Sequence, residues 1–127
     1  MMRARPREGF TLIELLVVMT IIATLLTLAV PRYFTSVERS KEAVLRTDLN
    51  VMREAIDKYY GDKGKYPDTL DELVSQRYLR ALPRDPITDS RETWVVIPPE
   101  DPSLGGVYDV RSGAPGDSLE GEAYGDW

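Results

Sequence analysis

Between Phe10 and Val30 the chain is Leu, Ile, Val, Ala, Met and Thr around one charge, Glu14, and Pro31 closes the run. As a helix at ~1.5 Å per residue this stretch is roughly 31 Å long, the thickness of a bilayer's hydrocarbon core. The pattern then changes. Leu45, Leu49, Met52, Ile56 and Tyr59 recur at helical spacing, and most charged residues between Glu38 and Lys58 fall on other faces. That is an amphipathic helix with one apolar face. Pro31 removes a backbone donor and crowds the preceding turn, so a kink or local melt is expected there. Taken as nearly continuous, Phe10 to Tyr60 is 51 residues, about 75 Å of helix. Gly61 is expected to end it and Gly64 to reinforce the break. The charged face reads equally well as solvated surface or as a contact between subunits.

Downstream the elements shorten. Lys65-Tyr66-Pro67 is extended, since the residue before Pro is pushed out of the helical region. Thr69 and Glu72 have capping-box spacing, which starts a helix expected to run to about Gln76 or Arg77 and to bury Leu70, Leu73 and Val74. Tyr78, Leu79 and Leu82 extend that apolar surface, and Pro83 and Pro86 force an irregular connection. Thr93–Ile97 is β-branched and aromatic, hence a strand. Prolines 98, 99 and 102 end it, Gly105-Gly106 marks a turn, and Val107–Arg111 returns as an antiparallel partner. Two strands alone are marginal, so they need the amphipathic helix as the other half of their core. Ser112–Trp127 is a Gly-punctuated loop with Trp127 docked. The fold class is therefore α+β: a long N-terminal helix, then a small antiparallel head.

Composition narrows the chemistry. The chain has 127 residues and a formal net charge of −5, which speaks against a general nucleic-acid-binding face. It has no Cys and no His. No disulfide can brace the head, and the commonest metal ligand and general base is missing. Nucleophile–base pairs reduce to scattered carboxylates, so no enzyme constellation is present. A small head without these supports depends on its core, on neighbours in an assembly, or on a bound hard cation.

Arg3, Arg5 and Arg7 precede the apolar run, against Glu8 alone. The positive-inside bias keeps them cytoplasmic and sends the chain after Pro31 across the membrane. A secretory signal carries its small-residue cleavage site after the apolar core; here Leu28-Ala29-Val30-Pro31 is a poor one. Gly9-Phe10-Thr11-Leu12-Ile13-Glu14 instead resembles the leader junction of type IV prepilins and type II secretion pseudopilins. The resemblance implies a pilin-like fold, with residues 1–9 a leader, 10–31 a transmembrane and filament-core helix, and 32–127 a periplasmic head that includes the amphipathic helix to about 60. It implies cleavage after Gly9 and N-methylation of Phe10 by a prepilin peptidase. Removing the leader leaves −7 on the side chains. Lys65-Tyr66-Pro67, Leu82-Pro83-x-Asp85-Pro86 and Gly125-Asp126-Trp127 are similar to the major-pseudopilin branch.

A carboxylate in an apolar helix costs roughly 2.5–3.5 kcal/mol at the helix centre, and less near an end. Glu14 suits the positive end of its helix dipole, and the sharper expectation is that it pairs with the freed Phe10 amine of a neighbouring subunit. The resemblance further implies a homo-oligomeric filament, an inner-membrane assembly platform, minor pseudopilins as partners, and no nucleic acid. It also implies Ca²⁺ in the C-terminal loop, where the family has Gly-x-Asp-Gly and an acidic cluster. This chain has Gly113-Ala114-Pro115-Gly116 and then Asp117. The calcium expectation therefore falls on Asp117, Glu120, Glu122 and Asp126, against a plain solvated acidic tail. A type IV pilus or DNA-uptake pilin is the alternative within the family, and a membrane-anchored extracytoplasmic binding domain or hydrolase the alternative outside it.

Overall fold

The structure is a computed structural model, and it describes residues 9–127. Helix α1 spans Leu12–Lys63. A short helix α2 (Leu70–Ser75), strand β1 (Trp94–Ile97) and strand β2 (Asp109–Ser112) follow, with single 3₁₀ turns at Pro102–Leu104 and Tyr124–Asp126. The residues fall into two compact units, one ending at Val37 and the other running Glu38–Trp127.

Two expectations about α1 are corrected. There is no melt at Pro31: the helix continues through it. Proline deletes only its own N–H, and one absent bond does not end a ladder this long. The Thr35 hydroxyl donates to the Pro31 carbonyl at 3.1 Å. Nor does Gly61 end the helix. A helical glycine weakens the ladder by about 1 kcal/mol without breaking it. The stop comes at Gly64, whose φ of 70° is left-handed and whose amide still reaches the Tyr60 carbonyl at 2.8 Å.

In the second unit, Leu45, Leu49, Met52, Ala55, Ile56 and Tyr59 form one buried stripe of α1. Leu70, Leu73, Leu79, Trp94, Val107, Val110, Ala114 and Tyr124 complete a single core with it. The strands pair antiparallel with Trp94 opposite Ser112 and Ile97 opposite Asp109. Both lie within one or two residues of the expected segments.

Side-chain capping fixes the short elements. Thr69 accepts from the Glu72 amide at 3.3 Å. Glu72 reaches back one residue further than a simple box, to the Asp68 amide at 2.7 Å, and its other oxygen takes the Tyr59 hydroxyl at 2.6 Å. That hydrogen bond, then burial, pushes the Tyr59 phenol up to about 12, and holds the Glu72 carboxyl below its ordinary value. α2 ends at Ser75 because Arg77 turns left-handed, with φ 66°. Arg77 donates to the Val74 carbonyl at 3.1 Å and Tyr78 to the Leu73 carbonyl at 2.8 Å, the two bonds of a Schellman stop. The 105–106 turn needs glycine: a Cβ on either would strike the backbone carbonyl of Tyr66 or Asp68. Gly106 and Val107 both donate to the Pro67 carbonyl, which locks the Lys65-Tyr66-Pro67 segment.

Asp85, from the Leu82–Pro86 segment, is fully buried. It accepts from the amides of Ile87 (2.8 Å) and Thr88 (3.3 Å) and from the Ser112 hydroxyl. The loop before β1 is thereby tied to β2.

Candidate assembly site at the N-terminal helix

α1 begins with a reciprocal cap. Thr11 Oγ1 accepts from the Glu14 amide at 3.1 Å, and Glu14 Oε2 accepts from the Thr11 amide at 3.1 Å. Leu15 donates the first helical bond, to the Thr11 carbonyl at 3.1 Å. This is a capping box with Thr11 at N-cap and Glu14 at N3. A carboxylate in the first turn also complements the helix dipole. Thr11 has a part that the sequence reading assigned only to the 69–72 pair, although residues 11–14 carry the same Thr-x-x-Glu spacing. The bond to the Thr11 amide uses one carboxylate oxygen, and Oε1 can accept a further donor.

Every large apolar side chain from Phe10 to Val30 is exposed, from 41% at Val30 to 86% at Phe10. A contiguous apolar surface of this length marks a membrane or protein contact, and α1 is long and apolar enough to cross a membrane. The polar groups inside it are paired with their own helix. The hydroxyls of Thr20, Thr24 and Thr27 donate to the carbonyls of Leu16, Thr20 and Ala23 at 2.7–2.8 Å.

Gly9 precedes the helix. It is exposed. The rest of the expected leader, residues 1–8, lies outside the described residues.

The cation expectation falls on four C-terminal acids. Asp117, Glu120, Glu122 and Asp126 are exposed, and among the described residues no three carboxylates gather as a metal-holding group. Calcium takes six to eight oxygens, backbone carbonyls among them, so a site here would need these side chains drawn together. Asp117 pairs through its backbone with Ala123. Trp127 is docked as expected: it lies under the Arg46 guanidinium at 3.9 Å and edge-on to Tyr124 at 5.3 Å.

Comparison with known proteins places this geometry. Residues 4–30 match the family model described as the prokaryotic N-terminal methylation motif. The type II secretion system core protein G of Pseudomonas aeruginosa is 34% identical over 101 residues, 67% of this chain and 71% of that protein. The protein of the same name from Escherichia coli K12 is 30% identical over 131 residues, covering 90% and 86% of the two chains. The type IV major pilin protein PilA of Myxococcus xanthus is 36% identical over 72 residues, but the match reaches only 33% of that pilin. No solved structure matches. Shared N-terminal motif and extended identity together mean that this chain belongs to the type II secretion system core protein G family.

Proposed function

We propose that the protein is a pseudopilin, a structural subunit of the pseudopilus of a type II secretion system. The observation that carries this is the exposed apolar span from Phe10 to Val30, opened by a capping box and lying within the methylation motif. Cleavage falls after Gly9, immediately before the apolar span. The same enzyme methylates Phe10. Until assembly the span holds the subunit in the inner membrane, with its head in the periplasm. The assembly platform then draws it into a homo-oligomeric filament that minor pseudopilins help to start.

Assembly, not catalysis, is the mechanism. The apolar side chains leave lipid and bury one another in a helical bundle. Burying one such side chain is worth about 1.5–3 kcal/mol relative to water, which forbids a subunit stripped of both lipid and neighbours. Lipid and bundle compete on closer terms, so polar pairing decides register. Glu14 Oε1 accepts the Phe10 amine of an adjacent subunit, which neutralises two charges inside the apolar bundle.

Mass spectrometry of the membrane-extracted protein should give a mature N-terminus at Phe10 carrying one methyl group. Electron microscopy of cells overproducing the protein should show thin filaments containing it. An intact leader in cells that make the peptidase, or processed protein that never forms filaments, refutes the reading.

A further inference from the structure

The acidic C-terminal loop lacks a carboxylate cage, yet it is well fastened, and its fastening comes from α1. Oε1 of Glu42 accepts the Leu119 amide at 2.7 Å and the Tyr124 hydroxyl at 3.0 Å. One carboxylate oxygen thus holds both arms of the loop. The loop is closed on itself as well. Ser118 is buried; its amide donates to the Glu122 carbonyl at 2.6 Å, and Gly121 donates to the Ser118 carbonyl at 3.0 Å. The Ser118 hydroxyl accepts from the Glu122 amide at 3.2 Å.

The same α1 face continues the fastening. One turn past Glu42, the Arg46 guanidinium covers Trp127. Two turns further, Arg53 donates to the Trp127 carbonyl at 2.7 Å, the Val110 carbonyl at 2.9 Å and Asp109 at 2.9 Å. Charge-assisted bonds of this kind are about twice as strong as neutral ones. Burial, then the bond to Glu42, pushes the Tyr124 phenol up to about 12, so its hydroxyl stays a donor at any physiological pH.

We propose that Glu42 anchors the 117–124 loop to α1 in place of a divalent cation, so that this head folds and holds its C-terminal loop without calcium. A cation would gather carboxylates pointing inward. Here a carboxylate from the helix gathers an amide and a hydroxyl, and the loop's own acids face solvent.

The test uses the full chain purified in detergent. Far-UV circular dichroism gives Tm in millimolar calcium and in excess chelator, and amide exchange reports on Leu119. Wild type should melt at the same temperature in both conditions. Glu42→Ala should lower Tm by roughly 5 °C or more in both, with no rescue by calcium, and Leu119 should exchange at least about tenfold faster. Tyr124→Phe keeps the ring and removes one of the two donors, so it should give a smaller loss of Tm in both conditions even if Glu42→Ala does not fold. A wild-type Tm that rises with calcium overturns the proposal. So does unchanged Leu119 protection in Glu42→Ala, or a Tyr124→Phe protein that melts like wild type.

Discussion

Glu14 carries two jobs that substitution can separate, because the structure gives the local one a geometry. Within its own chain Glu14 closes a capping box with Thr11. Between chains, it is proposed to neutralise the Phe10 amine. Thr11→Ala removes the hydroxyl half of the box and leaves the carboxylate. Loss of an N-cap costs about 1 kcal/mol, roughly a fivefold weaker addition of each subunit if helix fraying is the whole effect. Glu14→Gln keeps an oxygen able to accept the Thr11 amide, so the cap survives in weakened form, but the charge is gone. A neighbour's amine left unpaired in an apolar bundle costs about 3–5 kcal/mol, or roughly 100- to 4,000-fold per addition. Thr11→Ala should therefore shorten filaments in electron micrographs of overproducing cells, and Glu14→Gln should abolish them. Both proteins should still be cut at Gly9, which mass spectrometry checks. Wild-type filaments from Glu14→Gln, or loss of filaments in Thr11→Ala as complete as in Glu14→Gln, would refute the division of labour.

Further outcomes follow from the head. Arg53→Ala removes three hydrogen bonds that join α1 to β2 and Trp127; at about 1 kcal/mol or more each, Tm of the detergent-solubilised chain should fall by roughly 10 °C or more, whereas Lys58→Ala, on an exposed part of α1, should change it little. Glu72 is held below its ordinary value of 4.5, first by Tyr59 and then by the Asp68 amide, so the unfolded chain takes up its proton first; stability from this pair is complete above about 4.5 and lost as pH falls further. Glu72→Gln should lower Tm at neutral pH and flatten its decline across that acid range, and an unchanged acid slope would count against the pairing. Arg77→Gly relieves a left-handed residue at the α2 stop and should raise Tm by a few degrees, since the conformation costs a non-glycine residue about 1–2 kcal/mol, part of which the glycine's greater unfolded entropy takes back.

Periodicity carried the sequence reading furthest. Leu45, Leu49, Met52, Ile56 and Tyr59 were legible as one face, and all are buried. The strands were legible because β-branched runs between prolines and glycines have few other uses. What periodicity could not reveal was long-range pairing of polar groups. Glu42, Arg46 and Arg53 look like ordinary members of a charged helix face until the loop that they hold is in place; their partners lie far along the chain. Asp85 stands in the sequence as one acid in a proline-rich segment, and its burial depends on Ser112 arriving from β2. The end of α1 was misplaced because Gly61 and Gly64 are alike in sequence and differ in backbone conformation: only Gly64 turns left-handed. Thr11 is legible in the sequence, since Thr11 and Glu14 have capping-box spacing.

The N-terminal span leaves one group with spare acceptor capacity for the proposed assembly. A polar group in hydrocarbon must find a partner, and the alternatives are its own backbone, a neighbouring chain, or exclusion from the membrane. Thr20, Thr24 and Thr27 find it in their own helix, each donating to a carbonyl one turn back. Their hydroxyls therefore add little reason for two spans to associate, and they confer no register. Thr11 is likewise satisfied by the box. Glu14 differs, because a carboxylate has more acceptor capacity than the single Thr11 amide uses, and its charge is not cancelled by an N–H. Among the residues from Phe10 to Val30 it is the one charged side chain. The proposed cleavage after Gly9 would create one positive charge beside it. A filament that pairs the two between subunits satisfies both, and sliding the helices by one turn would separate them by about 5.4 Å. The apolar face makes association strong without making it specific. In the proposed filament Glu14 selects the register, and the capping box holds its carboxylate at the helix terminus, where a neighbour's amine would reach it.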